Sequence, residues 1–281
     1  MTGKDFIDLH RYPIDDIGSP ACGELLDSIR VELRATGCAV LPGFIKQECL
    51  PAFIEEADAV ASAAHRSFNR TNAYFTTDDE SLPEQHPVRR FYDRSNAFVP
   101  ADNFGEDSPL RSVYEWQPVM DFIQACLEED EFHRYADPLA DVIVNVTEAG
   151  NGFPWHFDTN NYTVTLAIQN GSDGGLFEYV PNLRTADVEN YEGVQAILDG
   201  ERAPVQSLHL SPGDLQIFKG RYALHRVTPV SGDTTRYVGI FSWVDKPGMV
   251  AKVERAKQLY GKALPVHYTA EGRARTDELL D

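Results

Sequence analysis

Several common sequence features are scarce or missing, and each absence narrows the class of protein. The sequence has four cysteines in 281 residues and no C-x-x-C pair, which favours reduced packing thiols over a disulfide framework. It has no run of about 18 apolar residues, so we expect no membrane helix. Its first residues, MTGKDFIDLH, lack the apolar core of a secretion signal. These absences predict a cytoplasmic protein.

Positive charge is also scarce. Lysine and arginine total 25 against 44 acidic residues, which gives a formal net charge of −19. Nucleic acids and anionic membranes are bound by basic surfaces, so we expect neither as a partner. We expect a small-molecule substrate instead, and a monomer or homodimer.

The first half of the chain has helical patterns. Ser19 and Pro20 are typical of a helix N-cap and first residue, apolar residues follow at helical spacing, and Gly37 is typical of a helix end. Further helices are predicted near residues 47–64 and 117–129. Residues 66–112 are rich in Asn, Asp, Pro, Arg and aromatics with weak periodicity, which predicts an irregular, functional segment.

Strand patterns dominate from residue 142 onward. Short β-rich runs alternate with turns, the longest predicted strand spans residues 155–169, and residues 185–201 resemble a helical insertion. Many short strands between turns indicate a sandwich or barrel. We therefore predict a single α+β domain over residues 1–281, with helical support and a substrate loop in about 1–140, a barrel core in about 141–248, and a C-terminal helix and tail in 249–281.

A histidine and an aspartate stand two residues apart in Trp155-His156-Phe157-Asp158. On a strand, side chains two residues apart point to the same face, so an imidazole and a carboxylate would lie side by side. A third ligand is expected from another strand, and His225, after a turn, has a suitable context. Two histidines and one carboxylate form the facial triad of non-haem Fe(II) oxygenases.

An arginine follows the second histidine at a fixed distance. Arg236 comes eleven residues after His225, in a strand whose alternate neighbours are apolar. A buried guanidinium needs an anion, and arginine binds carboxylates with a bidentate fork. The set therefore predicts that Arg236 binds the far carboxylate of 2-oxoglutarate.

With these residues the chain resembles the Fe(II)/2-oxoglutarate-dependent oxygenase superfamily. The resemblance covers most of the chain and implies a double-stranded β-helix (a jelly-roll or cupin-type barrel) with flanking N-terminal helices and a C-terminal helix. It implies His156, Asp158 and His225 as catalytic iron ligands, and Fe(II), 2-oxoglutarate and O2 as cofactors and co-substrates. The implied reaction is a dioxygenase hydroxylation of an unactivated C–H bond, with release of succinate and CO2.

Two segments, WHFDTN from Trp155 and FEYVP from Phe177, resemble the clade of free-amino-acid halogenases and hydroxylases. Halogenases of that clade have Gly or Ala at the carboxylate position, which opens a site for chloride. Here the position is Asp158, which favours hydroxylation of a free amino acid or amino-acid derivative. Phe153 and Thr159 flank the motif, and this favours substrates less basic than lysine.

Candidate substrate residues follow from the same resemblance. An amino-acid carboxylate needs a cation, and Arg90 and Arg94 in the irregular segment are candidates. Ser242 is on the strand face of Arg236 and is expected to line the barrel, with Trp243 covering its other side and Thr159 adjoining the metal motif. Three alternatives stay open: a radical halogenase of the same clade, a metal-binding cupin that is not an oxygenase, and a barrel without metal.

Overall fold

Helices flank two β-sheets in the computed structural model, which describes residues 1–269. Within that range no helix is long and apolar enough to cross a membrane. The α-helices are α1 (Gly3–Phe6), α2 (Pro20–Thr36), α3 (Leu50–Val60), α4 (Pro109–Glu115), α5 (Gln117–Leu127), α6 (Tyr191–Leu198), α7 (Val253–Tyr260) and α8 (Pro265–Thr269).

The strands pair antiparallel throughout the described residues. They are β1 (Cys38–Leu41), β2 (His65–Thr71), β3 (Tyr92–Val99), β4 (His133–Arg134), β5 (Val142–Thr147), β6 (Phe153–His156), β7 (Thr163–Gln169), β8 (Asp173–Gly174), β9 (Phe177–Val180), β10 (Gln206–Leu208), β11 (Leu215–Phe218), β12 (Leu224–Val227), β13 (Val230–Ser231), β14 (Arg236–Phe241) and β15 (Trp243–Val244).

Two sheets form the barrel. The larger has the strand order β1-β11-β7-β14-β5-β3-β2 and the smaller β10-β9-β12-β6. Apolar side chains of α2 to α5 pack on the larger sheet and form the main core with it. The predicted fold class, an α+β double-stranded β-helix with flanking helices, is confirmed.

The opening helix matches its prediction. Ser19 accepts a hydrogen bond from the backbone N–H of Cys22, Pro20 is the first helical residue, and Gly37 ends α2 in the left-handed conformation at φ 71°. The chain turns there directly into β1, at the edge of the larger sheet.

Two predictions about strands need correction. Residues 66–112 are not irregular throughout, because β2 and β3 pair from His65↔Phe98 to Thr71↔Tyr92 and extend the larger sheet. The sequence HRSFNRT of β2 has no apolar run that would predict a strand. This edge strand is held by backbone pairing with β3 and by α7, which packs beside it. The predicted strand over residues 155–169 is two strands, β6 and β7, that belong to different sheets.

The crossing between the two sheets matters for the site. Residues 157–162 carry the chain from β6 in the smaller sheet to β7 in the larger one. Asp158 therefore lies in the connection, just beyond His156, which is the last residue of β6. At the other end of the chain α7 agrees with the predicted C-terminal helix, α8 was not predicted, and residues 270–281 of the predicted tail lie outside the described residues.

Candidate active site

The three predicted metal ligands come together at the mouth of the barrel. His156 on β6 and His225 on β12 are direct cross-strand partners, and their ring centroids are 4.2 Å apart. Asp158 Oδ1 lies 3.8 Å from His156 Nε2 and 3.4 Å from His225 Nε2. One ligand atom from each residue lies within 4.8 Å of the others, close enough for all three to bind one ion.

Hydrogen bonds orient each ligand toward the shared point. The Nδ1 atoms of His156 and His225 lie 2.7 and 2.9 Å from the carbonyl oxygens of Pro154 and Ala223. Carbonyls only accept, so each Nδ1 carries the proton and each Nε2 keeps its lone pair free for a metal.

The carboxylate ligand has its own support from Thr163. The Thr163 hydroxyl donates to Asp158 Oδ2 at 2.7 Å, which leaves Oδ1 available to bind a metal. Burial raises the pKa of Asp158, but His225, His156 and Thr163 outweigh it, and the net shift is downward. Burial, with His225 and Arg94 nearby, holds the pKa of His156 well below its usual value. Neutral histidine and ionised aspartate are the forms that bind metal.

A glycine that the sequence analysis missed makes room for this carboxylate. The Gly220 carbonyl accepts a hydrogen bond from the Asp158 backbone N–H at 3.1 Å. A Cβ added to Gly220 would overlap Asp158 Oδ2 and lie 2.6 Å from its Cγ. Nothing in the local pattern around Gly220 signals this role, because the two residues are far apart in sequence.

The donor set fits iron. Two neutral imidazoles and one carboxylate on one side of an ion leave further coordination positions open, as in the facial triad of non-haem Fe(II) enzymes. Phe218 and Phe177 pack on His225, with ring centroids 4.8 and 5.7 Å from the imidazole. They shield this ligand from bulk water.

Arg236 is connected to the candidate metal site through Phe177, whose ring packs on His225. It begins β14, is 7% exposed, and lines a small cavity together with Phe177. Among residues 1–269 no carboxylate pairs with it, and burial lowers its pKa to about 10, so it stays charged at neutral pH. Gly175, at φ 66°, lets it fit, since an added Cβ would lie 2.9 Å from Arg236 Cδ. The arrangement suits a small carboxylate that reaches from the metal to this guanidinium.

Of the predicted substrate residues, one lies near the candidate metal ligands and two lie away from them. Arg94 is 7% exposed and lies near the metal ligands. Arg90 points elsewhere, because it pairs with Asp199 at 2.6 Å on the surface. Trp243 is also displaced from its expected place, since it packs in the helical core, 5.0 Å from the ring of Tyr114.

Of the two other predicted residues, Thr159 adjoins the candidate metal ligand Asp158, and Ser242 contacts Tyr114. Thr159 follows Asp158 directly, and its carbonyl accepts a 3.4 Å hydrogen bond from Arg221. Ser242 follows β14, and its carbonyl accepts a hydrogen bond from the Tyr114 hydroxyl at 2.7 Å. Both side chains are partly buried.

Phe75 and Arg255 also belong to this region and were not predicted. The Phe75 ring lies 5.6 Å from the ring of His156, and its backbone has φ 58°. The Arg255 guanidinium, from α7, lies 5.8 Å from the Phe75 ring. No periodicity signals either position, because both depend on long-range packing.

The fold and the site together define a class. An antiparallel double-sheet barrel that presents two histidines and a carboxylate at its mouth, with a buried arginine beyond, is the architecture of the Fe(II)/2-oxoglutarate-dependent oxygenases. The predicted superfamily and enzyme class are confirmed.

The family follows from the comparisons with known proteins. The model of the Halogenase D (HalD) family matches residues 23–260, and the chain belongs to this family. No curated protein matches it.

Three solved structures share the fold. SnoN, a non-haem α-ketoglutarate-dependent epimerase from nogalamycin biosynthesis, is 13% identical with a TM-score of 0.53 over 79% of this chain and 84% of its own. AviO1 from Streptomyces viridochromogenes Tue57 is 16% identical with a TM-score of 0.52 over 80% and 96%. SnoK, a carbocyclase from nogalamycin biosynthesis, is 14% identical with a TM-score of 0.51 over 76% and 81%. At these identities the likeness concerns the fold.

Proposed function

We propose that this protein hydroxylates an unactivated C–H bond of a small molecule, a free amino acid or an amino-acid derivative, with Fe(II), 2-oxoglutarate and O2. The observation that carries the proposal is the carboxylate of Asp158. It is oriented by Thr163, accommodated by Gly220, and directed at the two histidine Nε2 atoms.

The residues have distinct roles in this proposal. His156, Asp158 and His225 hold the iron, and Arg236 holds the far carboxylate of 2-oxoglutarate. Bound iron with its co-substrates supplies an oxidant for C–H bonds, while 2-oxoglutarate becomes succinate and CO2. The protein orients the substrate and excludes water, which it does with the aromatic rings packed on His156 and His225.

A radical halogenase is the second candidate, and the name of the family favours it. Chloride would need the coordination position that Asp158 Oδ1 is placed to take. The hydrogen bond from Thr163 and the space at Gly220 hold the Asp158 carboxylate in place, which argues against its replacement by chloride. A cupin with another metal chemistry is less well supported, because it gives no role to the buried Arg236, with which no carboxylate of residues 1–269 pairs.

We also propose a cytoplasmic location. All four cysteines are unpaired and three of them are buried, which suits a reducing compartment. The monomer or homodimer stays a prediction.

The test uses protein purified without oxygen and loaded with Fe(II). Pools of L-amino acids are added with 2-oxoglutarate and O2, with and without chloride, and succinate and product masses are measured. We expect succinate to rise with one pool, together with a product heavier by one oxygen atom, whether or not chloride is present. A chlorinated product would overturn the hydroxylase proposal in favour of the halogenase.

A pair of variants tests the ligand assignment. Asp158→Ala should abolish product formation, because the iron loses its only anionic protein ligand. Asp173→Ala, a matched change at an exposed acid in β8, should leave activity unchanged. Full activity of Asp158→Ala would contradict the assignment.

A further inference from the structure

Two arginines from distant parts of the chain meet beside the metal ligands. Arg94 comes from β3 and Arg255 from α7. Their guanidinium carbons lie 4.5 and 5.8 Å from the centroid of the Phe75 ring. That ring lies 5.6 Å from the ring of His156, so one aromatic side chain separates both arginines from the metal ligand.

Neither arginine has a carboxylate partner among residues 1–269. Arg94 is 7% exposed, and the side-chain amide of Asn96 lies beside it, with its oxygen 2.6 Å from Nε when the amide is oriented to accept from the guanidinium. Arg255 is partly buried and donates to Gln258 at 3.3 Å. Two cations beside one ring, one buried and one partly buried, with only neutral hydrogen-bond partners, are costly unless an anion binds to them.

The buried acids of the described residues are engaged elsewhere. Glu178 pairs with Arg202 and Arg226, and Asp137 pairs with His267. Asp214 accepts hydrogen bonds from the backbone N–H groups of Gly43 and Ser211. Asp158 is assigned to the metal. Asp158 is close enough to raise the pKa of both arginines, but one carboxylate that is also assigned to the metal does not balance two guanidinium charges, so a ligand has to bring further negative charge.

The ring between the arginines and the metal ligand is held in place. Phe75 has a left-handed backbone, which costs energy for a non-glycine residue and persists where its surroundings impose it. Asn72 supplies that constraint, because its side chain accepts from the N–H groups of Tyr74 and Thr76 and donates to the Val88 carbonyl at 2.6 Å.

The helix that carries Arg255 is fixed at both ends. Asp137 accepts a hydrogen bond from the Ala251 N–H at 2.9 Å, just before α7. The Asp137 carboxylate also lies 3.1 Å from Nε2 of His267, which is in α8, the helix that follows α7. The Asp137–His267 pair is fully buried, so Arg255 is presented by a rigid segment.

We propose that Arg94 and Arg255 form a two-arginine subsite for a substrate with two negative charges, and that the substrate is an acidic amino acid or a close derivative of one. The proposal rests on the proposed function and deepens it by naming the substrate class. Arg94 was predicted from the sequence as a carboxylate anchor, whereas the second anchor and the second charge follow from the position of α7.

The probes are L-glutamate and L-aspartate, compared with their neutral isosteres L-glutamine and L-asparagine. Calorimetry without oxygen measures their binding to the protein loaded with Fe(II) and saturated with 2-oxoglutarate, and succinate formation is measured after oxygen is added. We expect at least one acid to bind roughly tenfold or more tightly than its amide, because a charge-assisted contact is lost in the amide. The same acid should stimulate succinate formation.

Three variants locate the effect. Arg255→Gln should remove most of the preference for the acid over the amide and leave 2-oxoglutarate binding unchanged. Arg255→Lys should restore part of the preference. Lys257→Gln, which removes the same charge from an exposed position of α7, should behave like the unmodified protein.

Several results would overturn the subsite. They are equal binding of acid and amide, no binding of either acid, or an acid preference that survives in Arg255→Gln. Displacement of the acid by excess 2-oxoglutarate would place it at Arg236 instead and would equally refute the proposal. Failure of the proposed function looks different, since the unmodified protein would then either fail to bind 2-oxoglutarate itself or give a chlorinated product, whichever amino acid it prefers.

Discussion

The buried arginines of this protein differ in what neutralises them. Arg184 is 1% exposed and pairs with Glu189 at 3.0 Å, so its charge is balanced within the fold. Arg236 is 7% exposed, and none of the described residues gives it a carboxylate. The first arrangement is complete without a ligand, whereas the second is completed by one. The comparison separates structural arginines from binding arginines on charge balance alone.

The two kinds of arginine should respond oppositely to removal. Loss of one partner from a buried ion pair leaves the other charge unpaired and costs stability. Loss of an unpaired buried charge removes a desolvation penalty and costs affinity for the missing anion instead. Substitutions in each group therefore test the contrast.

The largest effect is expected on stability from Arg184→Ala. Its guanidinium carbon lies 3.9 Å from the ring centroid of Phe157, and its Nε donates to the Arg221 carbonyl at 2.6 Å. The variant should lose about 3–5 kcal/mol of unfolding free energy, because the buried ion pair between Arg184 and Glu189 is lost. Denaturant unfolding of the ligand-free protein measures this.

Arg236→Ala is the matched comparison in the same unfolding experiment, and its ligand-free form should unfold no more easily than the unmodified protein. A large loss of stability in Arg236→Ala, or none in Arg184→Ala, would break the distinction between the two groups.

The second prediction concerns 2-oxoglutarate. Arg236→Ala should weaken its binding by roughly 2 kcal/mol or more, about thirtyfold, because a buried charged contact is lost. Calorimetry on the metal-loaded protein without oxygen measures the change. Unchanged affinity would show that Arg236 is not the anchor, and Arg90→Ala, a surface arginine paired with Asp199, serves as the control.

The third prediction extends the comparison to the acids. Asp158 differs from the ion-paired acids because a metal is its expected partner, and Gly220 makes room for its carboxylate. Gly220→Ala should shift that carboxylate and weaken iron binding by roughly ten- to a hundredfold. Gly105→Ala, where an added Cβ meets nothing within 4 Å, should have no effect on iron titrations. Equal iron affinity in both variants would contradict the steric argument.

The sequence predicted the chemistry of the site better than its surroundings. The structure brings together His156, Asp158 and His225, which the sequence singles out because few residue types can bind iron and their spacing is restrictive. The role of Arg236 stays a prediction. The reason given for His156 and Asp158 was incomplete, however. Asp158 lies beyond the end of β6, so the strand period of two does not bring it to His156. The two side chains converge because the chain crosses between sheets there and the Asp158 N–H donates to the Gly220 carbonyl.

The surroundings depend on contacts between distant segments. The edge strand β2 is polar, and its sequence does not show the alternation of apolar and polar residues that predicts a strand. For this reason residues 66–112 are predicted as irregular, although β2 pairs with β3. The helix of Arg255 was predicted, but its direction depends on Asp137 and His267, which are 130 residues apart in sequence. Side-chain orientation of this kind follows from tertiary packing, not from periodicity.

The smallest effect is expected at Glu178, an acid paired within the fold at the outer side of the smaller sheet. Burial raises its pKa, but hydrogen bonds from Arg202 and Arg226 outweigh burial, and the net shift is downward. A lowered folded-state pKa contributes stability above the unfolded-state value, and this contribution is lost as the pH falls through the folded-state value. Both arginines are partly exposed, so Glu178→Gln should cost only about 1 kcal/mol at neutral pH. The difference should shrink toward zero in acid, when unfolding is compared across a pH series. A loss of unfolding free energy that stays constant with pH would mean that Glu178 acts through packing and not through its charge. Glu178 would then not belong with the buried charges that are neutralised within the fold.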